Sequence, residues 1–249
     1  MTQIIAIDSA TQPAKTGLAR AHWEAGQLTV TGTWRPPDRA AQLACLTDWL
    51  GEGRDVLLAV DAPLGWPSGL ADGLAGHRAG QPLGQPANAL FRRTTDRAIQ
   101  HRLGKRPMDV GADRIARTAH AALELLATLA EAAGVTIAPA WDPTAWQSPG
   151  VVEVYPAATL TALGLNASGY KGAQTDERET LLTALAPRLT ISEADRRAAV
   201  ASDHVMDAVI SLIAAADFLA GLCPGPEDAA QARREGWIWV REPGDASAG

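Results

Sequence analysis

The sequence predicts an α/β protein: a mixed β-sheet, part antiparallel and part parallel, flanked by helices. Three observations carry that prediction. Residues 4–7 and 56–60 are short apolar runs, each running into an aspartate, Asp8 and Asp61. Uninterrupted apolar runs of this length mark strands buried on both faces. Residues 18–23 and 28–34 read as two further strands between short turns, the second alternating with period two. Residues 40–50 then place Ala41, Leu43, Leu46, Trp49 and Leu50 at helical spacing.

The elements follow in order. Residues 13–17 form a turn after the first strand, and Gly26 turns the chain again, so three strands make an antiparallel meander. Asp38 is the N-cap of the first helix, and Gly51 and Gly53 end it. Strand, helix and strand in succession give a right-handed crossover between parallel strands. Asp8 and Asp61 then lie at one edge of the sheet. Residues 62–90 are rich in Gly and Pro, a loop length that suits a lid or substrate wall, and a passive insertion with short helices competes with that reading. Helices are expected to about residue 100 and over 110–133, and a short strand over 135–138. A strand follows over 151–156, and helices over 157–163 and 175–186. Ser192 and Ser202 cap two more helices, the last running to Leu222, and residues 236–240 form a late strand. The expected organisation is one domain over residues 1–243, with an insertion at about 62–134 and a frayed tail over 244–249.

Bulk composition narrows the function classes. Apolar residues make up 47% of the 249 and charged residues 20%, enough to bury a core and too apolar for disorder. No stretch approaches the roughly 18 apolar residues of a membrane span. Cys45 and Cys223 stand alone, without disulfide or zinc spacing, so a cytoplasmic location and no membrane are expected. Net charge is −6, but residues 91–117 hold eight basic side chains against three acidic ones, +5, which leaves −11 elsewhere. A basic stripe on an acidic chain suits an anionic ligand, and a solvated helix face explains it equally well. Eight tryptophans accompany only two Phe and two Tyr. Stacking on a base would therefore fall to Trp141, Trp146 or Trp66, although packing is the weightier reading for each.

The chemistry-bearing candidates are acidic. Asp8 and Asp61 end strands, and Glu153 is flanked by valines, where a carboxylate is costly unless paired or bound to a cation. Asp203 and Asp207 are four apart and share a helix face that continues into Ile210 and Ala214. Plain helix capping competes with a metal role for that pair. Carboxylate clusters suit Mg²⁺ or Mn²⁺, one or two ions, because hard cations prefer oxygen.

The stretches IAIDSA, AVDAPLGWP, FRRTTDRAI, VEVYPAATL, YKGAQTDER and SDHVMDAVISLIAAA resemble a family of uncharacterised proteins, domain of unknown function 429. That family is described as predicted nucleases of the ribonuclease H-like superfamily. The resemblance covers roughly residues 3–220. It implies a ribonuclease H-like five-stranded mixed sheet and a metal-dependent nuclease or phosphodiesterase acting on nucleic acid or a nucleotide. It gives Asp8, Asp61, Glu153 and Asp207 catalytic metal-site roles, with Asp203 as a further ligand. Arg92, Arg93 and Lys171 would face substrate phosphates. Two positions depart from the family pattern: His204 replaces a second acid beside Asp203, and Ala157 replaces a glutamate after the strand-end proline. They leave the number of ions open, and for His204 itself a structural role outweighs a direct one.

Two other classes compete. A non-catalytic nucleic-acid or nucleotide-binding protein could keep the fold, although intact carboxylates argue mildly against that. An actin-like or sugar-kinase-type ATPase would need glycine-rich phosphate loops after the strands, and Ser9-Ala10 and Ala62-Pro63-Leu64 stand there instead. Nothing in the sequence sets the oligomeric state, a dimer included.

Overall fold

In the computed structural model, which describes residues 1–111 and 113–244, β1 (Thr2–Asp8), β2 (Gly17–Glu24) and β3 (Gln27–Trp34) form the meander. Helix α1 (Arg39–Glu52) follows, its N-terminus capped by Asp38, which accepts from Ala41 N at 2.8 Å. It leads to β4 (Val56–Asp61), parallel to β1 and beside it. Two short helices, α2 (Ser68–Leu74) and α3 (Ala87–Phe91), occupy the Gly/Pro-rich segment. Next come α4 (Thr94–Leu103) and α5 (Asp113–Ala133). Strands β5 (Ala138–Pro139) and β6 (Gly150–Glu153) complete a sheet of order β3-β2-β1-β4-β6-β5. The chain ends through α6 (Pro156–Ala162), α7 (Thr175–Leu185), α8 (Glu193–Ala201), α9 (Asp203–Leu219) and α10 (Ala229–Glu235). This is an α/β fold with a mixed sheet flanked by helices.

The apolar runs of β1 and β4 have a direct physical reason: each strand feeds two cores. Ile4 and Ala6, with Leu57 and Ala59, pack on the face covered by α9. Ile5 and Ile7, with Leu58 and Val60, pack on the opposite face against α1 and α5. Successive side chains of a strand point to opposite faces, so a strand covered on both sides must be apolar throughout. Helix α9 is buried from Val205 to Phe218, which makes it an axis of the core rather than a half-solvated cover.

Several expectations are corrected. The sheet has six strands rather than five, because the chain near residue 138 adds two residues to the edge of β6. The late strand over 236–240 reduces to one bridge between Ile238 and Glu153. The outer edge of β6 is divided: β5 takes Gly150 and Val151, which leaves only its end for Ile238. Helix α9 stops at Leu219, not Leu222. Helix α10, short and polar, had no apolar periodicity to announce it; Asp228 caps it by accepting from Gln231 N. The expected frayed tail lies outside the described residues except for Gly244, whose N–H donates to Ala162 O at 3.4 Å. Among the described residues, no helix is long and apolar enough to cross a membrane.

Candidate metal centre

The parallel pairing of β1 and β4 sets Asp8 directly opposite Asp61. Each is the last residue of its strand, so both carboxylates stand at the C-terminal edge, where open α/β sheets bind ligands. The third element is the first turns of α9. Ser202 caps that helix by accepting from Val205 N, and Asp207 follows one turn later. Carboxylate oxygens of Asp8, Asp61 and Asp207 lie within 4.8 Å of one another.

Close backbone contact seats α9 there. A Cβ added at Gly17 would stand 1.9 Å from the carbonyl oxygen of His204. Gly17 is also the register partner of Asp8. Glycine therefore lets the helix start touch β2 beside the end of β1, which carries the first carboxylate. Gly17→Ala should cost roughly 1–3 kcal/mol, the usual penalty for overpacking, and should weaken metal uptake by displacing Asp207. Urea melts and Mn²⁺ titration of the variant check both effects.

Each of two carboxylates has its own donors. His204 Nδ1 lies 2.7 Å from Asp8 Oδ2. An ionised carboxylate only accepts, so with Asp8 ionised Nδ1 carries the proton. Tyr170 Oη donates to Asp207 Oδ1 at 2.6 Å, and the Lys171 ammonium is ion-paired with Asp207 Oδ2. Asp61 differs. Among the described residues none donates a hydrogen bond to its carboxylate. Burial, and then the charge of Asp8, push its carboxyl well above the ordinary carboxylate range. Burial raises Asp8 too, although the His204 hydrogen bond and the Lys171 charge work against that rise.

This donor set fits a divalent cation. Three carboxylates carry −3 when ionised and Lys171 returns +1, which leaves −2 in a largely buried pocket. A hard dication with oxygen ligands balances that charge. The three side chains come from the end of β1, the end of β4 and the start of α9, held by different parts of the chain.

A family described as "Protein of unknown function (DUF429)" matches residues 7–231, a span that holds all three carboxylates. The chain belongs to the DUF429 family. No curated protein matches it.

Not every acid expected of this DUF429 chain joins the cluster. Glu153 stands apart, its two oxygens taken by Arg93 at 2.7 and 2.8 Å and by Leu64 N at 2.9 Å. Asp203 accepts from Gly172 N at 2.9 Å; burial opposes its charge, yet that bond and the His204 charge hold its carboxyl below the ordinary value. The two arginines expected to face phosphate are turned elsewhere. Arg93 is fully buried between Asp96 and Glu153. Arg92, also buried, binds Asp109 at 3.0 Å and Gln100 at 2.5 Å. Lys171 does reach the centre, with half of its side chain still exposed. Trp141 and Trp146 pack against the core, and Arg233 lies over the Trp141 ring. Sequence reasoning missed Tyr170 as a site residue. Its place beside Lys171 in a loop was the available signal, but a lone tyrosine in a loop has no chemical signature.

Proposed function

We propose that the chain is a metal-dependent hydrolase of phosphodiester bonds in nucleic acid or a nucleotide, with Mg²⁺ or Mn²⁺ held by Asp8, Asp61 and Asp207. One observation carries this reading: three carboxylates from distant parts of the chain meet within 4.8 Å at the ligand-binding edge of the sheet. The meander, parallel crossover and strand-end acids also support a ribonuclease H-like relationship.

The chemistry the ion would supply is Lewis-acid stabilisation of charge on the phosphoryl and leaving oxygens. The protein's part is to orient. His204 fixes the rotation of Asp8 through Oδ2, and Tyr170 fixes that of Asp207 through Oδ1. The Lys171 ammonium has three donors and spends one on Asp207, so it can turn another toward a phosphate oxygen. In the overall reaction a water oxygen bonds to phosphorus, the phosphorus–oxygen bond to the leaving group breaks, and the leaving oxygen gains a proton. His204 does not touch the ion in this reading; it positions a ligand. Loss of such partners typically weakens metal binding by about 10–100-fold. His204→Ala should show that drop in Mn²⁺ titrations, and the same titrations on Asp8→Asn should show a larger one.

A second reading has its own observation. Lys171 already lies on Asp207 amid the carboxylates, as a side-chain cation would in a binding protein that needs no metal. Wild type and Asp8→Asn, assayed on a panel of DNA, RNA and nucleotides with and without Mn²⁺, separate the two. Metal-dependent cleavage lost in the variant supports the hydrolase. Tight nucleotide binding with neither cleavage nor metal uptake supports the binding protein. Hydrolysis of ATP alone would favour an actin-like ATPase.

A further inference from the structure

A cavity of about 240 Å³ opens beside the carboxylate centre, and Asp8 and Asp61 line it directly. An apolar cavity of about 150 Å³ accepts benzene, so there is room here for one ring system. Its walls are apolar: Pro107, Met108, Ile115, Tyr155 and Ile238. Arg93, Asp96 and Glu153 also line it, and they satisfy one another by ion pairs, so none of them requires a charged guest. Two features point to an absent occupant. Met108 is 65% exposed although it helps to line a cavity. Ser9 Oγ, next in the chain to Asp8, is buried without a hydrogen-bond partner.

The segments that wall the cavity carry basic residues. Lys105 and Arg106 immediately precede Pro107 and Met108, and the Arg106 side chain is 63% exposed. Arg114 and Arg117, both exposed, bracket Ile115 on α5. Four of the eight basic residues of the stripe noted in the sequence are thus carried by segments that wall the cavity. Apolar walls, a hydroxyl lacking a partner, a centre at one end that would hold a phosphate through its cation, and cationic flanks together describe the surroundings of a nucleotide.

We infer that the cavity receives the base of a single nucleotide unit whose phosphate lies at the carboxylate centre. The unit is a free nucleotide or the unpaired end of a strand. The inference rests on the metal-dependent hydrolase reading and adds a substrate class to it: a base already stacked in a duplex does not enter without being unstacked and flipped.

The test is calorimetric titration of the protein with a nucleoside 5′-monophosphate and with ribose 5-phosphate, each with and without Mn²⁺. The nucleoside phosphate should bind at least ten-fold more tightly, and Ile115→Trp, which fills the cavity, should erase that preference. Thr118→Trp, from the same wall, serves if Ile115→Trp fails to melt cooperatively. Equal affinity for the two phosphates, or a preference that survives both substitutions, overturns the inference. A base preference without Mn²⁺ uptake upholds the cavity assignment and overturns the hydrolase reading; Mn²⁺ uptake without base preference does the reverse. Single-stranded oligonucleotide binding ten-fold tighter than the monophosphate identifies a strand end, and the opposite order identifies a free nucleotide. Blunt duplex binding as tightly as single strand overturns the inference.

Discussion

Asp61→Asn is expected to raise the stability of the metal-free protein while removing the proposed metal-dependent activity. The carboxyl of Asp61 is raised by burial first and by the neighbouring charge of Asp8 second, and no hydrogen-bond donor among the described residues relieves it. Asparagine keeps the shape and deletes the charge. Neutralising a strained functional site commonly yields about 0.5–2 kcal/mol. For a chain of this size that is roughly 1–8 °C in melting temperature. The lost cation ligand should lower hydrolysis by at least about 100-fold. The pH dependence carries the same signature. Asp8 and Asp61 hold protons more tightly in the native state than in the unfolded chain, where their ordinary value is 3.8. The native state therefore binds more protons, and metal-free stability falls as pH rises from that value through the raised native ones. Saturating Mn²⁺ should flatten this decline, and so in part should Asp61→Asn. Melting curves across pH, in chelator and in Mn²⁺, check the pattern. A metal-free variant less stable than wild type at neutral pH would refute the account.

Arg93→Ala should be among the most damaging single changes in the molecule. Arg93 Nη2 reaches Asp96 at 2.9 Å and Glu153 at 2.7 Å, and Nη1 also donates to Glu235 O at 3.2 Å. All three ionic side chains are essentially inaccessible to solvent. Burial works against the guanidinium, but Glu153 and Asp96 more than reverse it and hold its pKa above the usual value. Removing one partner of a buried ionic group leaves its mates uncompensated and typically costs about 3–5 kcal/mol, or roughly 6–20 °C here. Adding Glu153→Gln and Asp96→Asn to Arg93→Ala should recover part of that loss. The contrast with a phosphate-binding arginine is sharp: such a residue would lose affinity and keep its melting temperature. A shift in Arg93→Ala below about 2 °C would assign it to substrate rather than to the fold.

The sequence reached the frame of the centre because strand-end acids carry a local pattern. Asp8 and Asp61 each close an apolar run, and the helix between the runs dictates that their strands lie parallel. Asp207 was legible from its spacing to Asp203 on a helix with an apolar continuation. What spacing could not decide was which acids gather into one cluster and which pair with an arginine. Glu153 and Asp207 both look like buried acids in sequence; Arg93 arrives at Glu153 from 60 residues upstream. The same limit applies to Arg92 and Arg93, whose charge suggested phosphate while their burial turns them to Asp109 and Asp96. Helix α10 escaped notice for a related reason. Its Glu235 joins distant segments, accepting from Ser68 N at 2.8 Å and Thr94 N at 2.7 Å, and long-range bonds of that kind leave no local periodicity.

The contact between Asp8 and His204 spans 196 positions. At synthesis rates of about 5–20 residues per second, the two partners leave a ribosome on the order of 10–40 s apart. During that interval a growing polypeptide carries its first two acids without the helix that completes the cluster. Translation alone thus delays completion of the carboxylate cluster, and a product interrupted before residue 207 would lack its third acid.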